Sequence, residues 1–205
     1  MLLRGALGYA LFCVGGATVA FSGGRYAMGE WRQAAARQAW EETEARTVVA
    51  RARHASEMDP HASPVVDGSP VARLLIPRLG VDAIVLEGVD GDVLNAGPGH
   101  VKGSAFPGER GNAVISAHRD RHFAKLGELR IGDTLVTESG MRRTWVVTAK
   151  RVIDAAAPAL FHTTDATLTL TTCWPIRWVG SAPDRLLVTA KPIDAKSSFA
   201  GGATN

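Results

Sequence analysis

The chain has 205 residues, a formal net charge of +3 and 46% hydrophobic content, which leaves room for a membrane segment and one domain of ordinary size but not for two. Its arginines are spread along the sequence without a dense basic block or interleaved aromatics, which excludes a nucleic-acid binder; mild basicity is ordinary for a protein lying on an anionic bilayer. There are two cysteines, and Cys13 lies in an N-terminal apolar stretch, so the rest of the chain cannot close an internal disulfide.

Gly5 to Phe21 is almost wholly apolar, between Arg4 and Arg25. That is short of the roughly 20 residues that span a bilayer, but Leu2, Leu3, Ser22, Gly23 and Gly24 extend it if Arg4 snorkels. Residues 1–25 are therefore expected to form a single-pass membrane anchor with a cytoplasmic N-terminus and Cys13 as a small apolar residue within it. A cleaved signal peptide ending near Thr18-Val19-Ala20 is the alternative. From Tyr26 to about Ser56 the chain is rich in Ala, Arg, Glu and Gln and free of proline, which predicts a spacer helix. Trp31 and Trp40, nine apart, fall on opposite faces of such a helix, and Trp31 suits the membrane interface. Pro60, Pro64, Gly68 and Pro70 then mark a linker, so 26–70 is read as spacer and linker.

Short strand candidates follow at Ala72–Ile76, Ala83–Glu87, Ala113–Ala117, Asp133–Glu138, Thr144–Ala149, Thr167–Cys173 and Arg185–Ala190, with a hairpin turn at Ser139-Gly140. His122–Glu128 is the best short helix. The pattern predicts an all-β domain over 71–194, a closed β-barrel with short helices rather than a parallel α/β sheet. Residues 195–205, rich in small residues, are expected to be a disordered tail.

Alternation places Thr167, Thr169, Thr171 and Cys173 on one face of their strand and Leu168 and Leu170 on the other. If this run pairs antiparallel with the one beginning at Arg185, thiol and guanidinium approach, and an adjacent cation favours thiolate over thiol. A half-buried cysteine beside a solvated arginine is the bland alternative for that pair. A third residue shifts the balance. Asn112 to Ala117 reads as a buried strand that delivers His118 to a polar loop, and histidine is the side chain best suited to proton transfer near neutrality.

Thr169-Leu170-Thr171-Thr172-Cys173 resembles the TLxTC signature of sortases, Arg185-Leu186-Leu187-Val188 their RLxV strand, and Ala117-His118-Arg119-Asp120 their GHRD segment, in the same order along the chain. Ile76-Pro77-Arg78-Leu79-Gly80-Val81, Gly97-Pro98-Gly99-His100 and Pro107 to Asn112 are similar to the family's early strand and loops. Ala117 stands where many members have glycine, and Trp174-Pro175 resembles the Gram-negative branch, class GN. The resemblance implies a sortase-like barrel over 71–194 and a membrane-anchored cysteine transpeptidase. In it Cys173 is the nucleophile, His118 the acid and base, and Arg185 the donor to the oxyanion. It also implies an exported protein with a C-terminal sorting signal as substrate, an amine acceptor, and a place at the cell inner membrane with the catalytic domain in the periplasm. Thr172 and Trp174 are candidates to line the groove, and Asp120 to orient His118.

No cofactor and no metal are expected. His54, His61, His100, His122 and His162 lack ligand spacing for zinc, and no residues carry over the calcium site of some sortases. Two other readings stay open: an L,D-transpeptidase-like peptidoglycan enzyme, whose SxGC[VI]R neighbourhood is missing, and a non-catalytic extracytoplasmic barrel that binds or tethers exported proteins.

Overall fold

The computed structural model describes residues 2–42, 65–157 and 162–193, the side chains of 2–10 excepted. Helix α1 (Leu2–Glu41) precedes strands β1 (Pro70–Ile76) and β2 (Val81–Glu87), helix α2 (Gly91–Ala96), and strands β3 (Gly99–His100), β4 (Asn112–Ser116), β5 (Thr134–Ser139), β6 (Met141–Asp154), β7 (Thr167–Trp174) and β8 (Asp184–Pro192). The strands close into a barrel in the order β1-β2-β3-β4-β7-β8-β6-β5, so no long edge is left for another chain to pair with. All seven expected strands are present. The two-residue β3 had no sequence signal, and His122–Glu128 forms turns ending in a 3-10 turn at Leu126–Glu128 rather than a helix.

Alternation fills the barrel. Leu74, Ile76, Val85, Ala113, Ile115, Leu135, Val147, Leu168, Leu170, Leu186, Val188 and Ala190 form one buried cluster, into which Phe123, Leu126 and Leu129 insert from the loop after β4. Trp145 joins that cluster fully buried, and its indole Nε1 donates to Thr137 Oγ1 at 2.8 Å, so burial leaves no orphan donor there. Register is fixed by these faces, since a one-residue slip would turn the apolar set outward.

The expected anchor and the start of the expected spacer form one continuous 40-residue helix, α1. Among the described residues no helix is long and apolar enough to cross a membrane, because Gly15, Gly16, Thr18, Ser22, Gly23, Gly24 and Arg25 dilute its apolar stretch. Beyond Glu42 the expected spacer and most of the linker lie outside the described residues, as do Asp194 and the expected tail over 195–205.

The second half of α1 docks on the barrel. Gln33 Oε1 accepts from the Ile84 N–H at 2.6 Å, and its Nε2 donates to the Ile84 and Ala96 carbonyls at 3.2 and 3.1 Å, so one side-chain amide pairs with β2 as a neighbouring strand would. Arg37 and Arg73 both reach Asp82, and the Arg73 hydrogen bonds hold its carboxyl down at about 2, against the cost of burial and with help from Arg37. Gly29 is required by close approach, since a methyl group there would overlap the Asn95 carbonyl oxygen and the Arg121 guanidinium. Trp40 is 2% exposed and Trp31 67% exposed, so the nine-residue spacing does place them on opposite faces.

Candidate active site

Three neighbouring strands carry the candidate residues to one rim of the barrel. β4 and β7 are parallel, with Ser116 beside Thr171, and the register continues as the Ala117 N–H donates to the Thr171 carbonyl at 3.2 Å. His118 follows directly, next to the Ala117 carbonyl that accepts from the hydroxyl of Thr172, the residue before Cys173. β8 runs antiparallel on the other side, where Cys173 pairs directly with Arg185. Adjacent strands lie about 4.8 Å apart, so the thiol is flanked by the histidine segment on one side and the arginine on the other.

The same alternation sets their direction. Ala113, Ile115 and Ala117 face the core, as do Leu168, Leu170, Leu186, Val188 and Ala190. Cys173 and Arg185 have the opposite parity and stand on the outer face, and they and His118 are each half-buried. Cys173 is a free thiol, and Arg185 Nη1 donates to the Asp184 carbonyl at 3.2 Å.

Several contacts brace this rim. Thr172 is 1% exposed, and its hydroxyl donates to the Ala117 carbonyl at 2.7 Å, which ties the residue before the cysteine to the residue before the histidine. Thr172 therefore faces inward and does not line a groove. Trp174 packs its indole against Gly127, where an added Cβ would sit 3.1 Å from the ring and crowd it. The guanidinium of Arg119 donates to the carbonyls of Pro175 (3.3 Å), Trp178 (2.9 Å) and Gly180 (2.9 Å) in the loop between β7 and β8. The sequence displayed Arg119 inside a motif but not its task, because its partners are main-chain oxygens.

Other polar candidates fall outside this rim. His122 sits in the turn after His118, with its Nδ1 buried and without a partner; burial, and then the Arg121 charge, lower its pKa below the usual histidine value. Asp120 is exposed. His100 is structural, with Nδ1 2.8 Å from Glu87 Oε2, Nε2 3.0 Å from the Ala105 carbonyl and its ring stacked on Phe106. His162, Arg110, Asn112 and Ser104 line a polar cavity of ≈ 280 Å³ at the opposite end of β4 from His118. His54 and His61 lie outside the described residues.

A family model described as "Sortase domain" matches residues 74–193, more than half of the chain. Sortase D of Bacillus subtilis (strain 168) is 36% identical over 124 residues, which are 58% of this chain and 62% of that protein; the chain thus spans about three-fifths of that curated relative's length. Among solved structures, Streptococcus agalactiae Sortase C1 superposes with a TM-score of 0.64 at 23% identity, covering 78% of this chain and 95% of that one. Clostridium perfringens sortase C with the C-terminal cell wall sorting motif gives 0.61 at 22% identity, covering 75% and 90%. These two likenesses speak for the fold. The relatives give no support to a Gram-negative branch, and Trp174 has a local packing role against Gly127 that accounts for an aromatic residue there. The family match, the curated relative and the shared barrel agree with the rim geometry: this chain belongs to the sortase family.

Proposed function

We propose that the protein is a cysteine transpeptidase, held at the outer side of the cytoplasmic membrane, that cleaves a C-terminal sorting motif of an exported protein and passes the acyl group to an amine. The observation that carries this reading is the Cys173–Arg185 rung with the His118 segment on its other flank. The Cys173 thiolate attacks the carbonyl carbon of the scissile peptide bond. Arg185 donates hydrogen bonds to the oxygen as it gains charge. As the C–N bond breaks, His118 gives its proton to the departing amine, leaving a thioester on Cys173. An incoming amine attacks that thioester, His118 takes its proton, and the thiolate leaves.

Membrane attachment is supported by Leu11, Phe12, Val14, Val19 and Phe21, which are 65–80% exposed on α1; such a row of bare apolar side chains calls for lipid or a partner. In a cell with two membranes the barrel would lie in the periplasm.

Co-expression of the full chain with exported proteins carrying candidate C-terminal sorting regions tests this. The expected result is loss of the C-terminal piece and linkage of the remainder to an amine, abolished by Cys173→Ala, with the enzyme in the membrane fraction and released from it by deletion of residues 2–25. Processing undiminished in Cys173→Ala would instead mark a barrel that only binds exported proteins.

A further inference from the structure

Arg119 has no part in the chemistry above, yet it joins the histidine segment to the chain leaving the cysteine. Its Nη1 donates to the Pro175 carbonyl and its Nη2 to those of Trp178 and Gly180. All three acceptors belong to the loop that begins after the last β7–β8 rung, Trp174 with Asp184, one rung beyond Cys173 with Arg185. A second bond, Trp178 Nε1 to the Ser181 carbonyl at 3.1 Å, folds the loop tip on itself. That tip carries Trp178 and Val179, 49% and 98% exposed. Two adjacent apolar side chains this bare, in the loop that begins two residues after Cys173, offer a contact surface to a ligand.

The bonds from Nη2 lie in solvent. When such a donor is removed, water takes over its acceptors, so little stability depends on it; what depends on it is where the loop sits. A planar guanidinium can grip three diverging carbonyls at once, and an ammonium cannot reproduce that fork.

We propose that Arg119 is a positioning residue for acyl transfer. By gripping Pro175, Trp178 and Gly180 it holds the β7–β8 loop as a wall beside Cys173, and Trp178 with Val179 selects an apolar side chain of the peptide near the cleaved bond. The proposal rests on the transpeptidase reading above.

The test uses the full-length wild type, Arg119→Gln and Arg119→Lys. Four measurements are made: melting temperature, hydrogen exchange over 175–183, alkylation of Cys173 by iodoacetamide, and acylation of Cys173 by a library of peptides randomised over five positions, read by intact mass. In Arg119→Gln, loop exchange should accelerate and acylation fall, each about tenfold, with the preference for an apolar residue flattened. Alkylation should stay within about twofold and melting within about 2 °C of wild type. Arg119→Lys should fall between. Acylation of wild-type yield and selectivity in Arg119→Gln would overturn the proposal. So would reduced acylation without faster loop exchange, or alkylation falling in step with acylation. A wild type that no peptide acylates would defeat the transpeptidase reading and this proposal together, whereas an acylated wild type with indistinguishable variants would defeat this proposal alone.

Discussion

Arg185 pairs across the sheet with Cys173, and among the described residues its side chain makes one hydrogen bond, to the carbonyl of its own chain neighbour Asp184. Its removal should therefore spare the fold and harm the chemistry. Arg185→Ala is expected to lower turnover by about 10²–10³, the loss typical of one oxyanion donor, while melting shifts by less than about 2 °C; Arg185→Lys should retain part of the activity because it keeps the charge without the fork. Steady-state kinetics beside thermal denaturation would check this, and comparable losses in both would make the arginine structural. The pairing was legible in the sequence because alternation fixes each residue's face and an antiparallel hairpin sets the end of one strand against the start of the next. His118 was legible as a candidate but its place was not, since the parallel register of β4 and β7 is long-range information. Thr172 and Arg119 were misjudged or passed over for a different reason: both act on main-chain carbonyls, which no side-chain pattern reveals.

Helix α1 is more than a spacer, because Gln33 completes the hydrogen bonding of β2 at Ile84. Gln33→Ala would leave a buried N–H and carbonyl without partners, at a cost of about 2–3 kcal/mol, measurable by denaturant titration, with exchange of the Ile84 amide accelerated. A variant as stable as wild type would show that α1 merely rests on the barrel. The turn between β4 and β5 has its own pH response. His122 is held below its usual pKa, first by burial and then by the Arg121 charge, with His118 acting the same way and Glu30 opposing. A depressed histidine stabilises the fold fully above the unfolded value near 6.5 and loses that contribution as pH falls through the folded value. Melting temperature should thus drop on acidification below about 6.5, and His122→Gln should remove that part of the drop; an identical pH profile in the variant would contradict it. Strand existence was legible from apolar alternation, but extents were not. β6 runs on to Asp154 because Lys150 to Asp154 keep pairing with β8 although they carry little apolar pattern, and β3 is two residues placed by its neighbours alone.

Barrel closure brings β4, β7 and β8 side by side although β5 and β6 intervene in the chain, and the proposed activity depends on that arrangement. The continuous α1 ties the barrel to the apolar N-terminal stretch, since its second half docks on β2 through Gln33 and on Asp82 through Arg37. Class of fold and the choice of candidate residues were readable because three short motifs stand in order along the chain; branch was not, because Trp174-Pro175 is a single local feature. The most direct test is the covalent intermediate itself. Full-length protein incubated with peptides bearing candidate sorting motifs should gain the mass of an acyl fragment on Cys173, hydroxylamine should release it as the hydroxamate, and Cys173→Ala should gain nothing. A wild-type protein that cleaves or binds its cognate peptide without ever acquiring that mass would contradict the account.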